Sequence, residues 1–453
     1  MIEMSVSEPL SVRPRGALGS TFSKPHSGMR SWLSARRGRL GLAGLLSGAL
    51  LIAVSAGRTD WLLPASARPV PGSLAGIFGH SGIDLELGGL IAALALMFVS
   101  YALAIRAADQ LSPRAVLIGV VGLNALILLA PPLLSTDVFS YVAYGRIGAM
   151  YGANPYLHGP EAIALDPSYP FIAARWVATP TAYGPLFTAV SYLLAPLNIA
   201  WNVLAYKAIA AISSLVIVMV VWKAARVRGL DPVRAVVLVG LNPVIVVYGV
   251  GGGHNDLLMV AILLTGIYVF LRQNERASGA LIVAATAVKL TAGLLLPFAF
   301  AHSIKQRDGR SPRAVLVGVG LAAAPAGVLS FLVFGSGPLH LPSTLANIQH
   351  GGGLNSVFGF LLTLLGLGRL NGTVGLVLEA GFAICVVWLV RRVWRGQLDW
   401  ITAAGWATVA LLVTASLLLP WYVGWLVPLA ALSPDRRLLI TAVVLTGIGL
   451  TTL

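Results

Sequence analysis

The sequence predicts an all-α integral membrane protein, a multi-span helical bundle, on three observations. The chain has 453 residues, of which 57% are apolar and only 10% are charged, whereas soluble domains carry about 25% charged residues. Apolar runs recur along the sequence at close to the roughly 20 residues that a spanning helix needs. The runs are continuous rather than alternating, which favours helices over a barrel. We therefore expect about 12 to 13 spans.

The basic residues lie at the ends of the apolar runs. The formal net charge is +15, but Lys and Arg occur in short clusters between apolar runs, as they do at cytoplasmic membrane edges. This distribution argues against a nucleic-acid-binding surface as the explanation of the charge. The single cysteine, Cys385, lies inside an apolar run, so a disulfide within the chain is impossible.

The order of apolar runs and basic clusters predicts six segments. The stretch 184–202 is either an interfacial helix on the outer face or a further span. A further span would put the basic cluster at 223–234 outside the cytoplasm, so the interfacial helix is preferred. The segments are a disordered basic cytoplasmic tail at 1–39, three transmembrane helices at 40–133, an extracytoplasmic loop with interfacial helices at 134–202, transmembrane helices with two short hairpins at 203–334, a second outer loop at 335–372 and C-terminal transmembrane helices at 373–453.

The two predicted hairpins have arms that are short for a full span. The first covers 235–271 and turns at the motif GGGHND, whereas the second covers 278–302 and turns near Lys289. Irregular backbone at membrane depth is tolerated only against protein or a wet cavity. Both turns therefore predict a polar cavity that opens outward.

Asp137 opens the large outer loop, just after an apolar run of membrane length. On a helix over the following residues VFSYVAYGRIG, Asp137, Tyr141 and Tyr144 share one face through spacings of four and three. Asp137 is either a helix N-cap or a general base at the lipid–water boundary, and the local pattern favours neither. Arg146 either binds a phosphate or anchors the helix at the interface.

Half of the tyrosines fall in this one loop. Six of the twelve lie between Tyr141 and Tyr183, together with Phe139, Phe171 and Trp176. An interfacial aromatic belt would instead decorate helix ends throughout the protein. Because aromatic faces suit the apolar faces of sugar rings, the cluster is either a sugar-binding surface or the packing of the loop itself.

Only five of the 31 basic residues are lysines, and two of them lie away from cytoplasmic edges. Lys289 lies between two apolar arms, where a charge needs a partner, and a phosphate would supply the missing negative charge. Lys207 either snorkels to the outer interface or also binds phosphate. Asp256, which follows His254 and Asn255, is a polar cavity group or a helix N-cap, and one His plus one Asp is too little for a metal site.

Several motifs occur together over most of the stretch 87–440. They are STDVFSYVAYGRIGAMYGANPY, YGPL, LNPV, GHND and a lysine between two short spans. On these motifs the sequence resembles the actinobacterial polyprenol-phosphate-mannose-dependent α-1,6-mannosyltransferases, integral-membrane glycosyltransferases of the GT-C class. The resemblance implies a GT-C-type bundle, in which Asp137 matches the position of the catalytic acid in an outer loop close to the membrane.

The resemblance also implies a reaction and a location. Mannose would pass from polyprenyl-phosphate-mannose to an α-1,6-mannan acceptor of the lipomannan type, by an inverting mechanism with Asp137 as base. The enzyme would lie in the plasma membrane with its active site on the extracytoplasmic side, and it would require no metal or other cofactor. The donor phosphate would be bound by Lys207, Lys289 and Arg146. Candidates for sugar or acceptor binding are Tyr141, Tyr144, Asn154, Tyr183, His254, Asn255, Asp256 and His350.

A transporter or lipid flippase is the competing class of function. Broken helices around a midplane polar site are typical of transporters, which commonly show related halves. The sequence has no convincing internal repeat, and the large aromatic outer loop favours an enzyme. A polymerase or ligase of envelope glycans, which shares the lipid-phosphate donor, is a third interpretation.

Overall fold

The computed structural model of the protein describes residues 26–305, 311–350, 357–367 and 371–452. Within these ranges no strand occurs, and the protein is all-α as predicted. The helices are α1 His26–Ser55, α2 Glu86–Arg106, α3 Pro113–Leu128, α4 Asp137–Ala149, α5 Pro185–Leu194, α6 Ile199–Val227, α7 Pro232–Gly240, α8 Asp256–Leu271, α9 Glu275–Val288, α10 Leu296–Lys305, α11 Pro312–Phe334, α12 Leu341–His350, α13 Val357–Leu364, α14 Asn371–Trp394, α15 Trp400–Thr414, α16 Val423–Ala431 and α17 Arg436–Leu450.

Many helix starts follow from the local sequence. A Ser, Asn or Asp side chain at the N-cap accepts a hydrogen bond from a backbone N–H of the first turn, which has no acceptor inside the helix. Proline follows the caps of α3 and α7, where its fixed φ suits the first helical position. Such caps begin α3 at Ser112, α6 at Asn198, α7 at Asp231, α9 at Asn274, α15 at Asp399 and α17 at Asp435.

Five helices in the described ranges are long and apolar enough to cross a membrane: α1 over Arg36–Ser55, α2, α6, α11 and α14. The chain is therefore a multi-span membrane protein. Other apolar helices are shorter, such as α8 with 16 residues and α15 with 15. At about 1.5 Å per residue these cover roughly 24 Å or less. The total of 12 to 13 spans depends on such short helices and stays a prediction.

Among the five long apolar helices of the described ranges, α11 and α14 have the smallest buried share. Within their apolar stretches only 11% and 6% of the residues are buried inside the protein, against 56% for α6. Large apolar side chains of α14, such as Ile384 and Val387, are exposed. In a membrane such faces are solvated by lipid tails, so these two helices lie at the outside of the bundle.

The predicted hairpin turns coincide with breaks in the helices. Between α7 and α8 the chain forms a π-helical segment, Ile245–Val250, and a tight turn over 251–255. Between α9 and α10, Lys289 is extended with φ −150° and ψ 126°, and a 3-10 segment, Leu290–Leu295, follows. Both breaks bring polar side chains into the interior of an otherwise apolar bundle.

A buried asparagine holds the first break in place. Asn242 Nδ2 donates to Tyr101 Oη over 3.1 Å and to Thr446 Oγ1 over 2.9 Å. Its Oδ1 accepts from the backbone N–H groups of Val244 and Ile245 over 3.0 and 3.2 Å. These four hydrogen bonds use the whole amide, and they connect α2, α17 and the start of the π-helical segment.

Two stretches bear on the segment boundaries predicted above. Helix α1 begins at His26, so residues 26–39 of the predicted disordered tail are helical, while residues 1–25 lie outside the described ranges. Helix α5 has ten residues, or about 15 Å, against a hydrocarbon core of about 30 Å. This length agrees with an interfacial helix at 184–202 and not with a span.

Candidate active site

A cavity of about 470 Å³, here called the first cavity, opens beside the first turn of α4. Its polar lining includes Asp137 of α4, Lys289 of the break after α9, and Tyr422 and Trp425 around the start of α16. Leucines of α12 and α15 contribute to a largely apolar remainder of the wall. This size, and an apolar wall with a few convergent polar groups, are typical of a small-molecule site.

Asp137 is the first residue of α4 and lines the first cavity. The N-cap position is occupied by Thr136, and the backbone N–H of Asp137 donates to Ser135 Oγ over 3.2 Å, so the N-cap interpretation of Asp137 is wrong. The residue is 9% exposed. Burial raises the pKa of its carboxyl to about 6, although the ammonium of Lys289 acts in the opposite direction. A carboxyl with a pKa close to the ambient pH can both accept and release a proton.

His254 lies between Asp137 and a second carboxylate. Its ring is fully buried and stacks on Trp421 with the ring centroids 3.8 Å apart. Its Nδ1 is 3.7 Å from Asp137 Oδ2 and 4.0 Å from Asp256 Oδ2. A neutral imidazole with its proton on Nδ1 presents one N–H to the two carboxylates.

The glycines that precede His254 make room for its ring. A Cβ at Gly252 would lie 2.7 Å from Nε2 of His254, closer than carbon and nitrogen can approach. Gly253 has φ +66°, a region that residues with a side chain adopt only at a cost. The glycines of the motif GGGHND therefore leave the space that the imidazole of His254 occupies.

Lys289 forms a buried ion pair with Asp256. The two atoms Nζ and Oδ1 are 2.7 Å apart, and the same oxygen accepts from Trp425 Nε1 over 2.7 Å. The ammonium lies 4.8, 5.2 and 5.9 Å from the ring centroids of Tyr422, Trp425 and Tyr183, within the range of cation–π attraction. Asp256 thus supplies the negative charge that the sequence had suggested for a phosphate. Lys289 still carries further N–H donors for a ligand in the cavity.

Together these contacts form a polar row, defined as Asp137, His254, Asp256 and Lys289. The two ends of the row, Asp137 and Lys289, line the first cavity, while the two middle members are buried with exposures of 0% and 2%. The row thus presents an acid and a cation to the same space. This arrangement suits a reaction in which a hydroxyl loses a proton while negative charge grows on a leaving group.

Two of the predicted phosphate ligands are engaged elsewhere. Lys207 is buried, donates from Nζ to the backbone carbonyls of Ala130 and Pro131, and lines a different cavity of about 240 Å³. Arg146 forms a buried ion pair with Asp166 at 3.0 Å. Neither cation lines the first cavity beside Asp137 and Lys289, so phosphate binding by Lys207 and Arg146 stays a prediction.

The predicted tyrosines divide between the cavity wall and the packed interior. Tyr144 and Tyr183 line the first cavity, and Tyr144 Oη donates to the carbonyl of Thr179 over 2.9 Å. Tyr141 is fully buried and makes edge contacts with Tyr183 and Phe187 at centroid distances of 5.0 and 4.9 Å. The packing interpretation thus holds for Tyr141, whereas sugar binding at Tyr144 and Tyr183 stays a prediction.

The remaining predicted sugar-binding residues are held inside the protein, apart from one. Asn154 Nδ2 donates to the carbonyl of Phe334 over 2.6 Å, so it fixes the end of α11. Asn255 is 2% exposed and His254 is fully buried, and neither lines the first cavity. The side chain of His350 lies outside the described residues.

Sequence reasoning gave too little weight to two residues of the first cavity. Trp425 holds Asp256 across 169 residues of chain, and its only signal was the aromatic motif PWYVGW. Glu379 is exposed on α14 and lines the cavity. A carboxylate inside an apolar spanning helix usually faces a cavity. The position of Glu379 within an apolar run could therefore have indicated its place in the cavity wall.

Comparison with known proteins decides the family. Residues 40–305 match the family described as "Alpha-(1->6)-mannopyranosyltransferase, N-terminal domain", and residues 352–452 match "MptB C-terminal domain". The chain belongs to the alpha-(1->6)-mannopyranosyltransferase family. The resemblance inferred from the motifs is thereby confirmed. The first matched range contains the whole polar row, and the second contains Tyr422 and Trp425.

Several mannopyranosyltransferases of this family align with the chain. Identity is 30% over 341 residues with alpha-(1->6)-mannopyranosyltransferase A of Mycobacterium tuberculosis, covering 68% of this chain and 63% of that protein. It is 26% over 338 residues with the A enzyme of Corynebacterium glutamicum, covering 67% and 68%, and 27% over 354 residues with the B enzyme, covering 67% and 56%. The matched regions thus cover about 56 to 68% of these relatives' length. No solved structure matches the chain.

Proposed function

We propose that the protein transfers mannose from polyprenyl-phosphate-mannose to the 6-hydroxyl of an α-1,6-mannan acceptor of the lipomannan type. Membership of the family supports this reaction type. One observation carries the proposal: an ionisable acid, Asp137, and a cation, Lys289, stand at the two ends of the polar row and line one cavity. A general base accelerates attack by the hydroxyl, and a cation stabilises the charge that grows on the leaving phosphate.

Asp137 is the general base of the proposed transfer. The acceptor oxygen attacks the anomeric carbon of mannose while Asp137 takes the hydroxyl proton, and the bond between the anomeric carbon and the phosphate oxygen breaks in the same displacement. Attack from the face opposite the phosphate turns a β-linked donor into an α-linked product. The raised pKa of Asp137 supports this role, because a more basic carboxylate accepts a proton more readily.

Lys289 stabilises the leaving group. The polyprenyl phosphate departs with one more negative charge than it had in the donor, so it needs charge stabilisation and no proton. The ion pair with Asp256 and the rings of Tyr422 and Trp425 hold the ammonium in place before the donor binds. A cation fixed in advance stabilises growing charge without reorganising in the transition state.

The lipid part of the donor matches the apolar wall of the first cavity. Leu290, Leu345, Leu411 and Leu412 line it, and the neighbouring helix α14 exposes apolar side chains. A polyprenyl chain is apolar throughout, so it can lie along this wall and continue into the bilayer. We place the site at the extracytoplasmic side of the plasma membrane, in line with the outer position expected for the loop that carries Asp137.

Membranes that contain the protein, incubated with labelled polyprenyl-phosphate-mannose and a short α-1,6 mannoside, test this proposal. The expected result is a labelled mannoside that is one residue longer. Asp137→Ala should insert into the membrane at the normal level and form no product. A transporter or flippase would leave the acceptor unchanged, and near-normal transfer by the variant would remove Asp137 from the mechanism.

A further inference from the structure

A second cavity, of about 500 Å³, adjoins the first. The two cavities share a wall formed by Trp176, Thr179, Ile348 and Leu417. The second cavity lies between the outer-loop stretch 156–180 and helix α12. The displacement at Asp137 and Lys289 takes place in the first cavity, so the second is free for another part of the reaction.

Helix α12 presents different faces to the two cavities. Leu345 and Gln349, spaced by four residues, face the first cavity. The side chains that face the second cavity are polar and recur every three or four residues along α12, starting one residue before the helix. These residues, the polar stripe of α12, are His340, Ser343, Thr344 and Asn347.

The chemistry of the second cavity fits a carbohydrate. Besides the polar stripe of α12 it contains Arg175, whose guanidinium lies 4.9 Å from the ring centroid of Trp176. Among its described lining residues there is no Asp or Glu, so it offers no counter-charge for a cation. Hydroxyl, amide and guanidinium groups hydrogen-bond to sugar hydroxyls, and an indole face covers the apolar face of a sugar ring.

We propose that the second cavity is the acceptor site, which binds the sugar residues next to the reacting hydroxyl of a neutral oligosaccharide. The assignment rests on the proposed transfer reaction. An acceptor bound there reaches Asp137 across the shared wall at Trp176 and Thr179. Thr179 lines both cavities, and its carbonyl accepts a hydrogen bond from Tyr144 of the first cavity, so the two cavities adjoin at this residue. The donor lipid and the acceptor glycan then occupy separate cavities, and only their reacting ends meet.

Asn347 and Gln349 form a matched pair for testing the acceptor site. Both side chains end in an amide, and they lie two residues apart on α12 but line different cavities. In the full-length protein at saturating donor, Asn347→Ala should raise the KM for an α-1,6-linked mannooligosaccharide about three- to tenfold, as expected for the loss of one hydrogen bond. The donor KM should not change. Gln349→Ala, at a residue that lines the first cavity, should instead raise the donor KM and change the acceptor KM by less than Asn347→Ala does.

The converse pattern would overturn the acceptor site. An unchanged acceptor KM in Asn347→Ala, or a rise in the donor KM alone, would mean that the second cavity does not hold the acceptor. Ser343→Trp provides a second variant, because Ser343 is exposed on α12 and the indole would fill the cavity. Its donor KM and its thermal unfolding temperature report whether the variant remains folded.

Binding of the oligosaccharide without donor separates this inference from the proposed function. Calorimetry on the purified full-length protein should detect binding to the wild type and a loss of at least tenfold in affinity for Ser343→Trp. If the wild type binds the glycan but transfers no mannose to it, the site stands and the proposed function fails. If the wild type transfers mannose and Ser343→Trp binds and uses the acceptor normally, the function stands and the site is wrong.

Discussion

The pH dependence of mannose transfer tests the role of Asp137. A general base works only in its ionised form, so the rate is present above its pKa and is lost as the pH falls through it. With a pKa of about 6, roughly nine tenths of Asp137 is ionised at pH 7 and roughly one tenth at pH 5, so transfer should fall about tenfold between them. An aspartate with an ordinary pKa of about 3.9 would lose less than about a tenth of its activity over the same interval.

Initial rates with both substrates well below saturation give the profile of the free enzyme. They are measured in membranes with labelled donor between about pH 4.5 and 8, a range that brackets the expected titration. The rate must recover when each sample is returned to neutral pH, which separates titration from unfolding. The acid limb is the part of the profile in which the rate falls with falling pH. If its midpoint lay below about pH 5, burial would not have raised the pKa of the base, and Asp137 would not have the pKa expected here.

Two neighbouring charges should move the acid limb in opposite directions. Lys289→Met removes a positive charge that lowers the pKa of Asp137, so the limb should move to higher pH. Asp256→Asn removes a negative charge that raises this pKa, so the limb should move to lower pH. Both variants should also be slower, but the position of the limb is the quantity compared. Shifts in the same direction would assign the limb to another group.

Three other perturbations separate structural from catalytic roles. Lys207→Met should lower the amount of folded protein, because the carbonyls of Ala130 and Pro131 lose a charged donor worth about 1.5–3 kcal/mol; a normal yield with a reduced kcat would instead assign Lys207 to catalysis. Gly253→Ala should lower the thermal unfolding temperature, since a side chain at φ +66° costs about 1–2 kcal/mol, and an unchanged temperature would contradict this. EDTA should leave transfer intact, because Lys289 stabilises the phosphate; activity lost with EDTA and restored by Mg²⁺ would contradict this.

The fold class and the helix breaks were predictable, whereas some helix boundaries were not. A chain with so few charges must satisfy its backbone internally in lipid, which leaves helices or a closed barrel, and the continuous apolar runs favour helices. The turn at 251–255 and the break at Lys289 followed from polar residues inside apolar runs. The start of α1 at His26 did not follow, because a basic Ser- and Arg-containing stretch suits both a disordered chain and a helix. Extending a helix that has already formed is easier than starting a new one, so the apolar part of α1 favours helix in the preceding basic stretch.

Asp137 and Lys289, the two ends of the polar row, were predictable because a charged side chain in an apolar membrane segment usually has a partner or a functional role. The partners themselves were not, since they lie far away in the sequence. The acceptors of Lys207 are 76 and 77 residues distant, and Trp425 reaches Asp256 across 169 residues. Local sequence indicates that Lys207 and Lys289 each need an acceptor, but only the tertiary structure distinguishes backbone carbonyls from a carboxylate beside Asp137.

The small buried share of α14 has a consequence for how the proposed lipid-linked donor reaches the first cavity. This helix contributes Glu379 to the wall of the first cavity, yet only 6% of its apolar stretch is buried in the protein. A wall that lipid solvates on its outer side can admit a molecule from within the bilayer, so the isoprenoid tail of the proposed donor can stay in the hydrocarbon throughout a catalytic cycle. The encounter then becomes a two-dimensional search within one leaflet, whose frequency is set by the surface density of the donor and by the fluidity of the bilayer.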